Sequence, residues 1–414
     1  MEYKGIEYLR RKLACKRERV LLRYKYYEMK NNKPDRGNII PLNLQDAYNS
    51  VLGWCATAVD SMADRLVFDG FANDNFNMWE VFQLNNPDIL FDSAITGALI
   101  SSCDFVYISA DEDGFPRLQV IDGSNATGII DPITNMLTEG YAVLERDEFD
   151  LPLIEAYFTQ GKTDVIYREN RGVVTETFTN PAPFALLVPI IYRPDSKRQF
   201  GHSRISRACM NLVDKARHTI TRGEITAEFY SFPQKYVLGM SEDAEPMEAW
   251  KATISSMLQF SKDEDGDRPT VGQFQSASMT PHIEQLRMYA ANFGGETGLT
   301  LDDLGFATGN PASAEAIKAA HENLRLKARK AQRTFGTGFL NVGFLACCVR
   351  DNFKYERNQI YNTNAKWLPI FEPDAAMLSQ IGDGAIKVNQ AIPNYFDANT
   401  LYELTGIKGN SNGE

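Results

Sequence analysis

The segment SRISRACMNLVDKARHTITRGEITAEFYS, Ser203 to Ser231, restricts what this chain can fold into more than any other stretch. Ile205, Cys209, Leu212, Ala216, Ile220, Gly223, Ala227 and Tyr230 recur at steps of three and four, the spacing that lines up side chains on one face of an α-helix. Ser203 stands where an N-cap belongs, and Pro233 ends the run. At 1.5 Å per residue the helix is roughly 43 Å long. Few small globular domains can bury so long a rod along one side, and the Ala and Gly on its stripe suit close approach by another helix. It is expected to pack against copies of itself or against a long partner.

The segments before it change period. Residues 3–30 read as a helix with Ile6, Leu9, Leu13, Val20, Leu21 and Tyr24 near a 3.6-residue repeat. Further helices are predicted over about Leu44–Arg65, Asn77–Leu84 and Pro87–Ser101. From Asp104 to Tyr192, short alternating or apolar runs are separated by DEDG, DPITN, TQGK, ENRG and NPAP, the pattern of an antiparallel sheet or small barrel. Beyond Pro233 come a short strand (KYVLGM), a helix near Pro246–Leu258, an acidic loop (SKDEDGDRP) and an extended TVGQFQ. A returning helix starts near Pro281 and is expected to stop at Gly294 and Gly295. A polar loop then fills Gly295–Pro311. It runs into a helix over Ser313–Phe335, for which Asn310 is a suitable N-cap with Pro311 at the first helical position. An apolar helix (GFLNVGFLACCVRDNF), an extended WLPIFEP and two short helices, Ala375–Ile381 and Ala398–Leu404, complete the pattern.

Charge is distributed unevenly. The net charge is −11, yet residues 1–30 carry ten Lys/Arg against four Asp/Glu, a surplus of six that leaves −17 for the rest. The basic N-terminal helix reads most simply as a solvated face; contact with a negatively charged neighbour is the other reading. A free-standing DNA reader carries a basic domain, and this acidic body does not. No apolar run approaches the roughly 18 to 20 residues of a membrane span, and the charged N-terminus lacks the apolar centre of a secretory signal. The chain is expected to remain in the cell that makes it, or in something assembled there. Cys15, Cys55, Cys103, Cys209, Cys347 and Cys348 form no CxxC, and His202, His218, His282 and His321 form no HxH or HExxH. Reduced thiols and no metal or other cofactor are expected.

Enzymatic readings fail one by one. DEDG at Asp111–Gly114 follows a strand, as metal-binding carboxylates do, but has the composition of a hairpin turn. GSNATGIID from Gly123 resembles a nucleotidyltransferase GS motif without the paired DxD that should follow. KDEDGDRP is no EF-hand loop: counting from Asp263, Gly266 falls fourth where sixth is required, and the twelfth residue is Phe274 instead of Glu. There is no GxxxxGK[ST], no GxSxG and no GxGxxG after a strand. Long helices in need of partners, a polar loop between two of them and no reaction centre point to an assembly component.

The order of elements, with FGHSRI leading into the long helix and NPASAEAIKAAHENLRLKARKAQRTFG after the loop, resembles the portal proteins of tailed bacteriophages, particularly the SPP1-like group. The resemblance covers nearly the whole chain and is most specific over Pro189–Ser231 and Gly294–Gly336. It implies an α+β portal-like fold. Residues 1–202 would form a helical and β wing, 203–231 a first stem helix, 232–278 a small αβ clip and 279–294 a second stem helix. A tunnel loop would span 295–311, the long helix and return to the wing 312–373, and a short crown and tail 374–414. It also implies a ring, usually of twelve subunits, at one capsid vertex of the virion, assembled in the host bacterial cytoplasm. Double-stranded DNA would pass through it, the terminase large subunit and then a head-to-tail adaptor would dock on it, and the major capsid and scaffold proteins would surround it, with no membrane involved.

Carried over by position, Thr300, Leu301, Asp302, Asp303, Leu304, Phe306 and Thr308 would face the DNA channel. Lys215, Arg217 and Arg222 on the first stem helix would touch phosphates or neighbouring subunits, and Asp263, Glu264, Asp265 and Asp267 would dock a partner on the clip. A loop without Lys or Arg suits a sliding polyanion, because each firmly neutralised phosphate adds affinity that resists movement. The alternatives are a metal-dependent enzyme acting on nucleotides through Asp111 and Asp113, and another virion or scaffold protein that encloses no channel.

Overall fold

The computed structural model describes residues 4–31, 50–169, 172–231, 235–238, 270–273, 278–306, 314–371, 373 and 375–407. Its elements in chain order are α1 (Ile6–Tyr27), α2 (Trp54–Ala63), β1 (Phe68–Ala72), α3 (Met78–Gln83), α4 (Pro87–Ser101), β2 (Cys103–Ala110), β3 (Pro116–Ile121), β4 (Ala126–Ile130), β5 (Leu137–Arg146), β6 (Pro152–Thr159), β7 (Lys162–Glu169), β8 (Gly172–Thr179) and β9 (Leu187–Ile191). They continue with α5 (Arg207–Ser231), β10 (Lys235–Leu238), β11 (Thr270–Gln273), α6 (Thr280–Thr297), α7 (Ala314–Ala320), α8 (Glu322–Arg350), β12 (Asn364–Trp367), α9 (Ala375–Ala391) and α10 (Ala398–Thr405). The mixture of helix and antiparallel sheet agrees with the α+β class expected from the sequence.

The expected β unit divides into two sheets, β3-β2-β9 and the meander β4-β5-β6-β7-β8. Against the smaller sheet lie α4 and α8, and the main core forms where these meet α2 and α3. Phe68, Phe91, Phe339 and Trp367 join there with ring centroids 4.6 to 6.3 Å apart, spacings at which edge and offset contacts add to simple burial. Two glycines let α8 sit this deep. A Cβ on Gly336 would lie 2.7 Å from that of Ala365 in β12, and one on Gly338 would lie 2.8 Å from Ile190 Cδ1 in β9.

The basic N-terminal helix is not a merely solvated face. Leu9 and Leu13 are buried against Tyr141 and Val143 of β5, while its cations fasten it to the β unit. Arg10 reaches Glu155, Arg17 reaches Asp150, and Lys12 and Lys16 donate to the Gly128 and Ala126 carbonyls. The negatively charged neighbour lies within the same chain.

Other boundaries move for identifiable reasons. Ser203 does not cap the long helix: its hydroxyl donates to the Ile100 carbonyl and accepts the Ile205 N–H, tying the approach to the end of α4. Ser206 accepts the Cys209 N–H and starts the helix instead, which shortens it to 25 residues, roughly 37 Å. Gly294 and Gly295 lie inside α6, since glycine in a helix costs only about 1 kcal/mol. The stop comes at Gly298, with φ +84° and its N–H on the Gly294 carbonyl, the left-handed position that a C-terminal glycine serves.

The helix expected to finish at Phe335 pauses at His321 and then runs unbroken to Arg350, absorbing the separate apolar helix. A strand, β1, lies in a block read as wholly helical and pairs antiparallel with β12, from Phe68 opposite Trp367 to Ala72 opposite Asn364. Of the expected helix Leu44–Arg65, residues 44–49 lie outside the described residues, as do the helix Pro246–Leu258 and the cap Asn310.

Candidate functional site

The two longest candidates for channel-forming elements, α5 and α6, pack against each other along a polar seam. Gln285 Oε1 accepts from Arg222 Nη2 at 2.9 Å and from the Thr219 hydroxyl at 3.1 Å, while its amide nitrogen lies 3.3 Å from the Tyr289 hydroxyl. One turn further, Thr226 Oγ1 is 3.4 Å from His282 Nε2. Gly223 sits between these pairs, where a Cβ would already touch Met279 and His282. On the outer face of α6, Ile283 and Met288 are 58% and 51% exposed among Glu284, Arg287 and Asn292, while Leu286, Tyr289 and Phe293 turn toward the core. An amphipathic helix ordinarily turns such residues toward the core. Here they point away from it.

Of the stem cations expected to meet DNA or another subunit, Lys215 is exposed. Arg222 is held by Gln285. Arg217 is buried, and its Nε donates to the Ser50 carbonyl at 2.9 Å, so its guanidinium fixes α5 to the body and is not offered to a phosphate.

After α6 the chain turns a tight corner. Asp303 Oδ2 accepts from the Thr300 N–H at 2.8 Å and its hydroxyl at 2.9 Å, and Thr300 Oγ1 accepts the Asp303 N–H at 3.2 Å. This reciprocal cap starts the 3₁₀ turn Asp302–Leu304. Gly294 makes room for it, since a Cβ there would stand 2.6 Å from the Leu299 carbonyl oxygen. Leu299 and Leu304 are buried, and Leu301 and Phe306 pack on the main core. The expectation of a polar loop over 295–311 is therefore corrected for 295–306, which is helix to Thr297 followed by a hydrogen-bonded corner. Leu304 is taken out of any channel surface, Asp302 is exposed, and Thr308 lies outside the described residues. His321, at the pause between α7 and α8, brings Nδ1 to 3.7 Å from Asp303 Oδ2, and Lys327 Nζ donates to the Glu296 carbonyl. His321 thereby meets the corner, and Lys327 ties α8 to the last turn of α6.

The Thr300–Asp303 pair was missed as a cap although T-x-x-D is a readable capping signature. The Gln285 seam had no such signal, since nothing local distinguishes a glutamine shared between two helices from a solvated one. Asp263, Glu264, Asp265 and Asp267 all lie outside the described residues.

The candidate carboxylates of the β unit serve a turn. Asp111 accepts the Phe115 N–H at 2.8 Å and pairs with Arg117 Nη2 at 2.8 Å. Slight burial works against its ionisation, and the bonds from Phe115 and Arg117 outweigh it, so its carboxyl lies below the ordinary range. Among the described residues no group of three or more His, Cys, Asp or Glu comes together closely enough to hold a metal ion, and no helix is long and apolar enough to cross a membrane.

A sequence profile of the family described as phage portal protein, SPP1 Gp6-like, matches residues 6–381. The chain belongs to that portal family. Two relatives named portal protein, from Mycobacterium phages L5 and D29, are each 25% identical over 333 residues, covering 75% of this chain and 67% of theirs. Among solved structures, this portal chain is similar to one from the virion of a native gene transfer agent particle, with a TM-score of 0.49 and 12% identity over 94% of this chain and 99% of that one. Another, from the neck of the native particle, gives a TM-score of 0.47 and 13% identity over 94% and 99%. The function of the protein is that of a phage portal.

Proposed function

We propose that this portal protein acts as one subunit of a homo-oligomeric ring, of about twelve copies by the family resemblance, at a single vertex of the capsid. The ring conducts double-stranded DNA inward during packaging and outward at ejection, and has no catalytic step of its own. The observation that carries the reading is the helix pair α5–α6, joined by polar contacts around Gln285 and leaving Ile283 and Met288 exposed on its outer face. A lone subunit leaves that face in water; adjacent hairpins in a ring cover it.

In this arrangement α5 and α6 are the stem, and residues 232–278 between them form the clip on which the terminase large subunit and then the head-to-tail adaptor dock. The corner Thr300–Phe306 anchors a tunnel segment that continues through Thr308, with Asp302 on its exposed side. An acidic wall keeps a polyanion central and avoids the phosphate-by-phosphate affinity that would hold it.

Negative-stain electron microscopy of the purified protein, with native mass measurement, tests the reading. Rings with a central opening of about 20 Å or more, wide enough for a duplex, are expected. Monomers or dimers under all conditions would overturn it.

A further inference from the structure

A surface hairpin is built to be pushed into something. Between β5 and β6, the side chain of Asp147 accepts the N–H groups of Phe149 at 2.9 Å and Leu151 at 2.8 Å, and its own N–H donates to the Leu151 carbonyl. Asp150 takes φ +65° and is pinned by Arg17 at 2.6 Å. The tip is thus rigid, yet it holds Phe149 82% exposed and Leu151 61% exposed, with Glu148 exposed beside them. Ordering a loop in order to leave an aromatic ring in water gains nothing for the monomer. A preordered aromatic anchor is what lowers the entropic cost of an interface.

Elsewhere on the molecule lies a surface of the opposite character. An open groove of about 730 Å³ runs between α8 and β12. Leu326, Leu340 and Trp367 give it apolar walls, and Arg329, Lys330 and Arg333 line it with positive charge. Among the described residues no carboxylate comes within ion-pair distance of those three cations, whereas their neighbour Arg325 is paired with Glu322. A basic groove with an aromatic wall, and an acidic tip with an aromatic point, are complementary in shape and sign.

We propose that the tip Asp147–Leu151 of one copy of this chain seats in the α8–β12 groove of the next copy, Phe149 entering against Trp367 and Leu326 while Glu148 pairs with Arg329 or Arg333. Tip and groove are different patches of the surface, so the contact is head-to-tail and repeats around a ring instead of stopping at a dimer. The contact rests on the ring assembly proposed above. It adds which surfaces join and which charges set the order of subunits, a role in which electrostatic complementarity selects the correct partner.

The test uses the full chain. Glu148→Arg and Arg333→Glu should each weaken ring formation about tenfold or more, and the double variant should regain most of it, as expected for a direct charge pair. Phe149→Ala should weaken assembly without changing the far-ultraviolet circular dichroism of the subunit. In a second measurement, Glu148→Cys with Arg333→Cys, made in a Cys15→Ser background, is treated with a short bismaleimide. A ladder of cross-linked species running up to the full ring is expected, because every subunit carries both halves of the contact. If all three single variants assemble like the unaltered protein, or if rings form but cross-linking gives no ladder, the contact is wrong while the ring stands. If the unaltered chain forms no ring, the proposed function fails and this contact fails with it.

Discussion

Arg10 in α1 and Glu155 in β6 meet as a two-pronged pair, Nε to Oε1 at 3.0 Å and Nη2 to Oε2 at 2.9 Å, with the Glu155 side chain only 1% exposed. Arg168 Nη2 adds a third contact at 2.7 Å, and the Tyr141 hydroxyl donates to the same carboxylate. One buried acid therefore gathers a helix and three strands. Burial works against its ionisation, but the bonds from Arg10, Tyr141 and Arg168 prevail and hold its carboxyl below the ordinary glutamate range.

Glu155→Ala should destabilise the protein by about 2 kcal/mol. That is below the 3–5 kcal/mol of a fully buried broken pair, because both arginines retain part of their water. A depressed folded pKa stabilises the protein above the ordinary glutamate range, and the stabilisation disappears as pH falls through the folded value. Denaturant melts from pH 6 downward should show this acid loss in the unaltered protein and not in Glu155→Gln.

Asp104 behaves in the opposite sense. Burial, aided by the Asp122 charge and opposed by hydrogen bonds from Ser101 and Gly123, pushes its carboxyl from 3.8 to about 7. The folded state then binds a proton that the unfolded chain has released, so this residue's contribution to stability falls as pH rises from about 4 to about 7. Asp104→Asn keeps an oxygen acceptor for Ser101 and Gly123 and should flatten the pH profile over that range.

In the corner after α6, Asp303→Ala removes two acceptor contacts to Thr300. A loss of about 1 kcal/mol is expected. Amide exchange over residues 299–306 should quicken by about fivefold while the β2–β9 amides remain as slow as before.

Between α5 and α6, Gln285→Ala leaves Arg222 and Thr219 without the oxygen they share. The expected cost is about 2 kcal/mol, read as a lower midpoint in a thermal melt. Gln285→Glu, which keeps the acceptor and adds a charge facing Arg222, should recover most of it.

Thiol chemistry gives a check that needs no mutation. Cys15 is exposed, whereas Cys55, Cys103, Cys209, Cys347 and Cys348 are buried, and burial pushes the Cys347 thiol up to about 12. A thiol reagent at pH 8 should modify one cysteine quickly in the folded protein and all six in denaturant.

Local signals were readable in the sequence and non-local ones were not. The apolar spacing of α1, α4 and α5 and the turn residues between β2 and β9 announced themselves, since each depends on neighbours a few positions away. Ser203 and Ser206 could not be ranked as caps by sequence, because what separates them is the Ile100 carbonyl more than a hundred positions away. Likewise, Arg217 has the look of a surface cation, and only the fold brings the Ser50 carbonyl to it. The corner was read as a polar loop, yet Leu299, Leu304 and Phe306 tether it through contacts with distant helices. Family resemblance supplied what periodicity could not, namely the expectation that the two helices α5 and α6 pair with each other, as their contacts through Gln285 show.

The pairing of β1 with β12 also sets an order of events. Beside it, the Thr363 hydroxyl donates to the Asn73 carbonyl across 290 residues of chain. Until Trp367 has left the ribosome, β1 is an open strand edge and Phe68 lacks one of its ring partners, and such edges invite pairing with other chains. Completion of the body thus waits until β12, some three hundred residues after β1, has been made. A polypeptide cut before β12 cannot close it, so the pairing works as a check that synthesis has passed Trp367 before the body is complete.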